Sequence, residues 1–530
     1  MATRWTPVIY RGWQGGINDS KNLLAIAPNE LADARNFYVA RDGHLRRRAG
    51  QAAVYADSFQ GSAVAHGLFQ ARLGGVLYLV TTYGTAITKD NNGTAITGTA
   101  TLTAGADKPI SFAVFKDLLI GCQADNATQN AFVGINAPFA WNGTGNAAAL
   151  TTSPPSLAVS VATFKNRLFF WNCTFGGTAY PESVVWSLYN TATTWPTNQI
   201  LGVYPGMGNY GTALKPFFRQ TDGGDGEVLI AFKDAGTFYI YHNPSGAGAS
   251  AFGNGRISSS IGCPAPGGVV EAGGVLYWPS YGGFYRMGAD LVIGPRSYIG
   301  GPLEQLWKRE PRTRIPFIKG AYLEDLQQVW FSVSVASTEG GTQTTNNTIL
   351  VYDTYFQKWV GIYTGILANC MAQVIDSDLK RHIYTTDYAN YLIYKQNTTN
   401  ADAGIGYASY IKTGYMDLGS KGVMKGLRLA VMELGSETDK TGTLFTNIYN
   451  ITSGQSASVA VGTTGVPLDQ FTLDRDSLAG PDYSQWIGRV GGRGRYVQSE
   501  FRISANAVAF DLYGLGYYVV PARSLPGVTR

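Results

Sequence analysis

Between residues 61 and 400, short apolar runs come in pairs around short polar turns, and this pairing narrows the folds open to the chain more than any other feature. The pairs are 67–69 with 75–80, 112–115 with 118–120, 161–164 with 167–170, 228–232 with 237–241, 269–271 with 275–278, 318–322 with 328–333, and 371–374 with 382–385. The turns between them carry Gly, Lys116-Asp117 or Lys165-Asn166, residue types that suit tight hairpins. The units recur roughly every 45–55 residues, each with room for about four strands. The clearest outer hairpin is 349–360, where a strand ends in Tyr352-Asp353 and a turn leads to Lys358-Trp359. That period and that unit predict an irregular β-propeller of six or seven blades. A series of stacked β-sandwiches is the alternative.

Composition supports an all-β chain. With 66 Gly, 13% aromatic and only 15% charged residues in 530, it reads as many short strands joined by turns. No run of eighteen apolar residues exists, so no membrane span is expected. The first residues, MATRWTPVIYRGW, lack the apolar core of a signal peptide, which predicts folding in a cytoplasm. Cys122, Cys173, Cys263 and Cys370 are far apart with no CxxC spacing. Four buried free thiols are expected rather than disulfides or a metal site.

Two further parts flank the repeats. Residues 1–60 predict an attachment arm. Pro28 to Asn36 has acids early and Arg35 late, as a short helix prefers. A strand through 36–39, a turn at Arg41-Asp42-Gly43-His44 and a strand through 45–48 then predict a hairpin. At 397–406 the composition turns small and polar. Beyond it, 408–418, 425–432, 456–461 and 495–503 alternate polar and apolar residues, which predicts a C-terminal β-sandwich over 401–530.

The charge is uneven. Arg4, Arg11, Lys21, Arg35, Arg41, Arg46, Arg47 and Arg48 face only Asp19, Glu30, Asp33 and Asp42 within the first fifty residues, while the whole chain carries +5. The rest is therefore almost neutral. A nucleic-acid reader would carry a broader basic face, so a local acidic partner surface or a transient DNA contact is expected of this arm.

Catalytic and metal motifs are weak. His44, His66, His242 and His382 show no HExxH or HxH spacing, and no GxSxG elbow exists. Residues 206–211 match GxGxxG, but Lys215-Pro216 stands where a helix should open. Asp222, Asp225 and Glu227 do not follow calcium-loop spacing. Asp474, Asp476 and Asp482 read as a loop paired with nearby arginines. No sialidase-type S-x-D-x-G-x-x-W turn occurs, and nothing points to a particular carboxylate pair for glycoside hydrolysis. Arg489, Arg493 and Arg495 alternate with glycines in one short copy, which reads as a turn pairing with a neighbouring subunit or domain rather than an RNA-binding tract.

Three regions together carry a resemblance. The opening has Gly15-Gly16-Ile17-Asn18, Pro28, Leu31, Ala34, Asn36, Gly43-His44-Leu45 and Arg46-Arg47-Arg48; the middle holds the irregular repeats; the end has GYMDLG at 414–419 and GRGRYVQSEFRI before a strand pair closing at Pro521. In pattern and order this resembles the β-propeller proteins of bacteriophage tails, the nozzle or hub type of short tails that stabilises packaged DNA. The resemblance implies a non-enzymatic virion protein without cofactor or metal. It implies a ring, usually of six copies, that extends the portal–adaptor channel and helps retain the genome. Fibres, spikes or a needle would dock on that ring, and DNA would pass without sequence readout. Arg46, Arg47 and Arg48 are then the expected intersubunit or adaptor contacts, with Arg493 and Arg495 beside them. The rival readings are a receptor- or glycan-binding tail-tip propeller and a propeller glycosidase.

Overall fold

A computed structural model describes residues 5–19, 22–54, 63–90, 94–128, 131–220, 226–388, 392–419, 421, 423–436, 440–448, 455–461, 484–503 and 509–521. It is all-β: among the described residues the one α-helix is Glu304–Trp307. The expected propeller is there. Six of its blades are separate sheets, beginning with the strands Ala65–Leu73, Ile110–Phe115, Leu157–Phe164, Gly211–Phe218, Val270–Ala272 and Ala368–Ile375. One further blade, Lys319–Leu323 to Lys358–Thr364, is the four-stranded end of a ten-stranded sheet. We number the blades 1 to 7 in chain order of these first strands, so that this one is blade 6 and the Ala368–Ile375 blade is blade 7.

Local chemistry sets the hairpins. Lys165 and Asn166 both have positive φ, 48° and 52°, between the paired residues Phe164 and Arg167. That is the backbone a two-residue turn needs to follow the strand twist. Gly74-Gly75 does the same between Leu73 and Val76. Period-2 alternation then sends apolar side chains into the gaps between blades, where the indoles of Trp141, Trp171, Trp186, Trp278, Trp330 and Trp359 are fully buried. Polar side chains tie blade to blade. Trp171 Nε1 donates to Phe232 O at 2.9 Å, Thr163 Oγ1 to Val114 O at 2.9 Å, and Ser332 Oγ to Ala368 O at 2.6 Å.

The ring closes twice over. Leu68 and Leu79 of blade 1 share one apolar cluster with Cys370, Val374, Tyr384 and Ile393 of blade 7. The outermost strand of blade 7 is Gly50–Ala53, contributed by the N-terminal segment. Chain start and repeat end are thus stitched into one sheet, which leaves the ring no open seam.

The N-terminal segment overturns one expectation. Residues 30–35 form a strand, Glu30–Arg35, and not a helix. Its acids-first, arginine-last order suits a helix end, but the burial of Leu31 and Ala34 comes from strands on both sides. It pairs antiparallel with Ser409–Thr413 and meets Lys358–Thr364 at Arg35↔Ile362. Tertiary pairing overrides a weak helical preference. The hairpin is present as Phe37–Val39 and Leu45–Arg47. Residues 1–60 are therefore no free arm: their described part lies inside both halves of the molecule.

Beyond the propeller, strands from Ser409 onward join those of the N-terminal segment in two facing layers. One holds Ser484–Gly494, Lys425–Ser436, Phe510–Pro521 and the N-terminal hairpin, with Thr6–Arg11 paired to Phe510–Pro521. The other continues the ten-stranded sheet from Glu30–Arg35 through Ser409–Thr413, Val497–Ile503, Lys440–Ile448 and Gln455–Val461. Tyr517 crosses between the layers, its hydroxyl meeting Ser499 Oγ at 2.6 Å and Thr446 Oγ1 at 3.2 Å. Phe501 and Phe510 pack at 5.5 Å beside it. These layers take strands from both ends of the chain, so the division at residue 401 is not a division between sheets.

Candidate functional site

Alternation along Leu45–Arg47 buries Leu45 and Arg47 and turns Arg46 outward. Arg46 grips Asp511 with two donors, Nε at 3.0 Å and Nη2 at 3.1 Å. That hydrogen bonding raises the guanidinium pKa against the opposing effect of burial. Burial alone would raise the Asp511 carboxyl; hydrogen bonds from His44 and Arg46 outweigh it and hold it below the usual range. Arg47 lies under the Tyr407 ring at 4.2 Å and donates to Ser409 Oγ at 2.9 Å and to Tyr407 O. Burial pushes its pKa down.

Arg48 is the hub of this cluster and is only 2% exposed. Nε donates to Asn36 Oδ1 at 2.9 Å and Nη1 to Asp402 Oδ1 at 2.8 Å, while Nη2 reaches the other Asp402 oxygen. The Tyr407 ring caps the guanidinium at 3.8 Å. Asn36, held at φ 58°, in turn donates to Ala408 O at 2.8 Å and accepts from the Thr364 amide. One guanidinium therefore joins the N-terminal hairpin, the end of blade 6 and the 402–408 connection. The expected anchor toward a neighbour is corrected here for Arg47 and Arg48: both are buried and committed to their own chain.

Arg11 and Arg41 also find partners within the chain. Arg11 pairs with the buried Glu433. Arg41 lies 3.5 Å from Asp353 and 4.7 Å from the Tyr355 ring. Arg11, Arg41, Arg46 and Arg48 thus meet acids hundreds of residues away. Arg493 and Arg495 remain exposed. The strand of Arg493 is separated from the Arg46 strand by two others, Lys425–Ser436 and Phe510–Pro521, so the five arginines do not form one patch.

A second feature lies on the propeller axis. First strands of six blades, with Pro266, Gly267 and Val269 just ahead of blade 5, enclose a channel of about 390 Å³ that runs in sequence from His66 to Met371. Its polar side chains are His66, Ser111, Ser160, Thr163, Lys215 and Lys319, and among the described residues no carboxylate lines it. His66 is spoken for: Nδ1 lies 3.0 Å from Thr82 Oγ1 and Nε2 3.0 Å from Gly84 O. Burial, with lesser repulsion from Lys319 and Lys108, pushes its pKa down to about 4, so the ring is neutral at pH 7. Burial also lowers the pKa of Lys215 against the pull of Glu271, and that of Lys319 against the pull of Cys370 and Asp107. Sequence reasoning passed over both lysines. The signal was a single cation in an otherwise apolar first strand, Leu214-Lys215-Pro216 and Ile318-Lys319-Gly320.

Two acidic groupings add nothing comparable. Asp376, Asp378 and His382 converge at a blade 7 turn. Lys395 Nζ already sits 2.6 Å from Asp376, where a cation would go, and pulls that carboxyl down to about 2. Asp222, Asp225, Asp474, Asp476 and Asp482 lie outside the described residues. All four cysteines are free and buried.

No protein-family model and no curated protein matches the chain. Among solved structures, an exo-β-1,3-galactanase from Phanerochaete chrysosporium in complex with galactose is similar at 8% identity and a TM-score of 0.26, covering 85% of this chain and all of that one. BBS1N in complex with ARL6DN is similar at 8% identity and a TM-score of 0.38, covering 67% of this chain and 99% of that one. These are likenesses of fold alone and say nothing of activity.

Proposed function

We propose that this chain is a structural protein of a bacteriophage tail, a nozzle or hub subunit that forms a ring extending the portal–adaptor channel. One observation carries the reading beyond the sequence resemblance. The ten-stranded sheet runs unbroken from blade 6 through Glu30–Arg35 into the C-terminal layers, and Arg48 pins the same junction. A subunit that must pass force between neighbours needs its two halves welded in this way. A closed ring needs two different contact patches on each copy, and the propeller rim and the C-terminal layers offer two rigidly related ones. In this reading the ring is a homohexamer in the virion tail. It helps retain the genome, docks fibres, spikes or a needle, and lets DNA pass without sequence readout. Arg46, Arg493 and Arg495 are the exposed members of the arginine set left for intersubunit or adaptor contacts.

Mass measurement and imaging with the portal–adaptor assembly test this. A sixfold ring on that assembly is the expected result. A chain that stays monomeric both alone and with those partners ends the proposal. The glycan-binding alternative is favoured by one surface on blade 4. There Tyr239 and Tyr241 lie across Gly255 and Gly253, with Arg219 and Arg256 beside them in an open groove of about 690 Å³. Binding of host polysaccharide by the isolated subunit, lost on Tyr241→Ala, would favour that reading instead.

A further inference from the structure

We propose that the axial channel is a binding site for a small oxyanion of the phosphate class, a free phosphate or diphosphate, with Lys319 as its main ligand and Lys215 as a second cation.

Other cations in the fold are answered by acids: Arg48 has Asp402, Arg46 has Asp511, and Lys233 has Glu182 with the Tyr204 and Met207 carbonyls. Among the described residues Lys215 and Lys319 have no hydrogen bond or ion pair, yet both stand among the blades on the channel wall. Asp107, an acid whose charge acts on Lys319, is held by Arg314 at 2.8 Å. Both lysines are half-buried, and an ammonium group partly withdrawn from water without a counter-charge against it is costly. An anion entering the channel supplies what both lack.

The remaining geometry suits such a guest. The stem of Lys319 lies against Gly267, where an added Cβ would come within 2.6 Å of Cδ and 2.9 Å of Nζ. A glycine there leaves the lysine its path along the wall. The Ser111 and Ser160 hydroxyls, 3.3 Å apart, face the same void. Hydroxyls and a compact ammonium with three donors are the chemistry that holds phosphate oxygens. Among the described residues no carboxylate on the wall repels the anion. The volume is near the low end for small-molecule sites, which fits a free phosphate or diphosphate and is too small for a polynucleotide.

Calorimetric titration of the full chain with inorganic pyrophosphate tests the proposal. One ion per chain is expected to bind, with affinity at least about tenfold weaker in Lys319→Met, measurably weaker in Lys215→Met, and unchanged in Lys358→Met at the exposed start of the strand Lys358–Thr364. Without pyrophosphate, Lys319→Met is expected to melt no lower than the parent, because it replaces an unpaired, half-buried charge by an apolar side chain of similar length. If that variant fails to fold, Lys319→Gln takes its place. Absence of binding at about 10 mM pyrophosphate, or equal binding by the parent and both channel variants, overturns the proposal. So does a short 5′-phosphorylated oligonucleotide that competes fully for the site, since it would assign the phosphate to nucleic acid.

Discussion

Replacing Arg48 by alanine removes five donor contacts at once, and the structure says what is left behind. Asp402, whose side chain is 13% exposed, loses its bidentate partner. Asn36 Oδ1 loses a donor, keeping only the Thr364 amide, and the Tyr407 ring loses the cation over its face. Breaking a buried pair by deleting one partner costs about 3–5 kcal/mol, because the remaining charge stays buried. Arg48→Ala is therefore expected to destabilise the junction by about 3–5 kcal/mol. Arg48→Met with Asp402→Leu removes both charges and is expected to recover more than half of that loss. Arg48→Lys should fall between, since one ammonium cannot serve Asp402 as a fork and reach Asn36 as well. Hydrogen exchange read on Glu30–Arg35 reports the junction directly, because that strand lies between blade 6 and Ser409–Thr413; denaturant midpoints report the whole. If Arg48→Ala shifts stability by less than about 1 kcal/mol with unchanged protection of Glu30–Arg35, or if the double variant simply adds the two single losses, the clamp argument is wrong.

Two further outcomes follow from single residues. Gly16 has φ 76°, and a Cβ there would run into the Trp359 carbonyl; Gly16→Ala is expected to cost about 2 kcal/mol or more, seen as a lowered melting midpoint, whereas Gly145→Ala, with open space around it, should cost less. His66 is depressed to about 4 in the fold, against roughly 6.5 when unfolded. The unfolded chain therefore takes up a proton first as pH falls. The stability this neutral ring contributes is full above about 6.5 and declines by about 3 kcal/mol as pH falls to about 4. His66→Gln should flatten the stability profile across that window, and an NMR titration of His66 with a midpoint above 6 would contradict the account.

How far the fold could be read from the chain depended on where the deciding partner lies. Hairpins such as 164–167 are decided by two adjacent residues of positive φ, Lys165 and Asn166, so the sequence displays them openly. The sheet membership of Glu30–Arg35 is decided by Ser409–Thr413, and nothing within 28–36 records that. The arginine triplet misled for the same reason. Counting charge over fifty residues sees Arg46, Arg47 and Arg48 without Asp402 and Asp511, which lie 354 and 465 positions on. A segment that looks charged in isolation looked like a projecting arm, when its charge measured how many distant acids it had to meet. The channel lysines were legible in principle, as lone cations in apolar strands, but their significance depends on what the neighbouring blades withhold from them.

The path of the N-terminal segment then bears on how the molecule can move. It begins in one C-terminal layer as Thr6–Arg11, crosses to the other as Glu30–Arg35, returns as the hairpin, and ends as the outer strand of blade 7. Propeller and C-terminal layers that shared only the 397–406 connection could hinge about it. Here a hinge would have to break the Arg35↔Ile362 pairing, the Gly50–Ala53 strand and the Arg48 clamp together, elements that stabilise one another. Relative motion of the two halves is thus coupled to opening the propeller ring itself. A design that spends its charged residues in this way gains a fixed angle between two surfaces, and a fixed angle is what an identical neighbour requires if copies are to close into a ring instead of a filament.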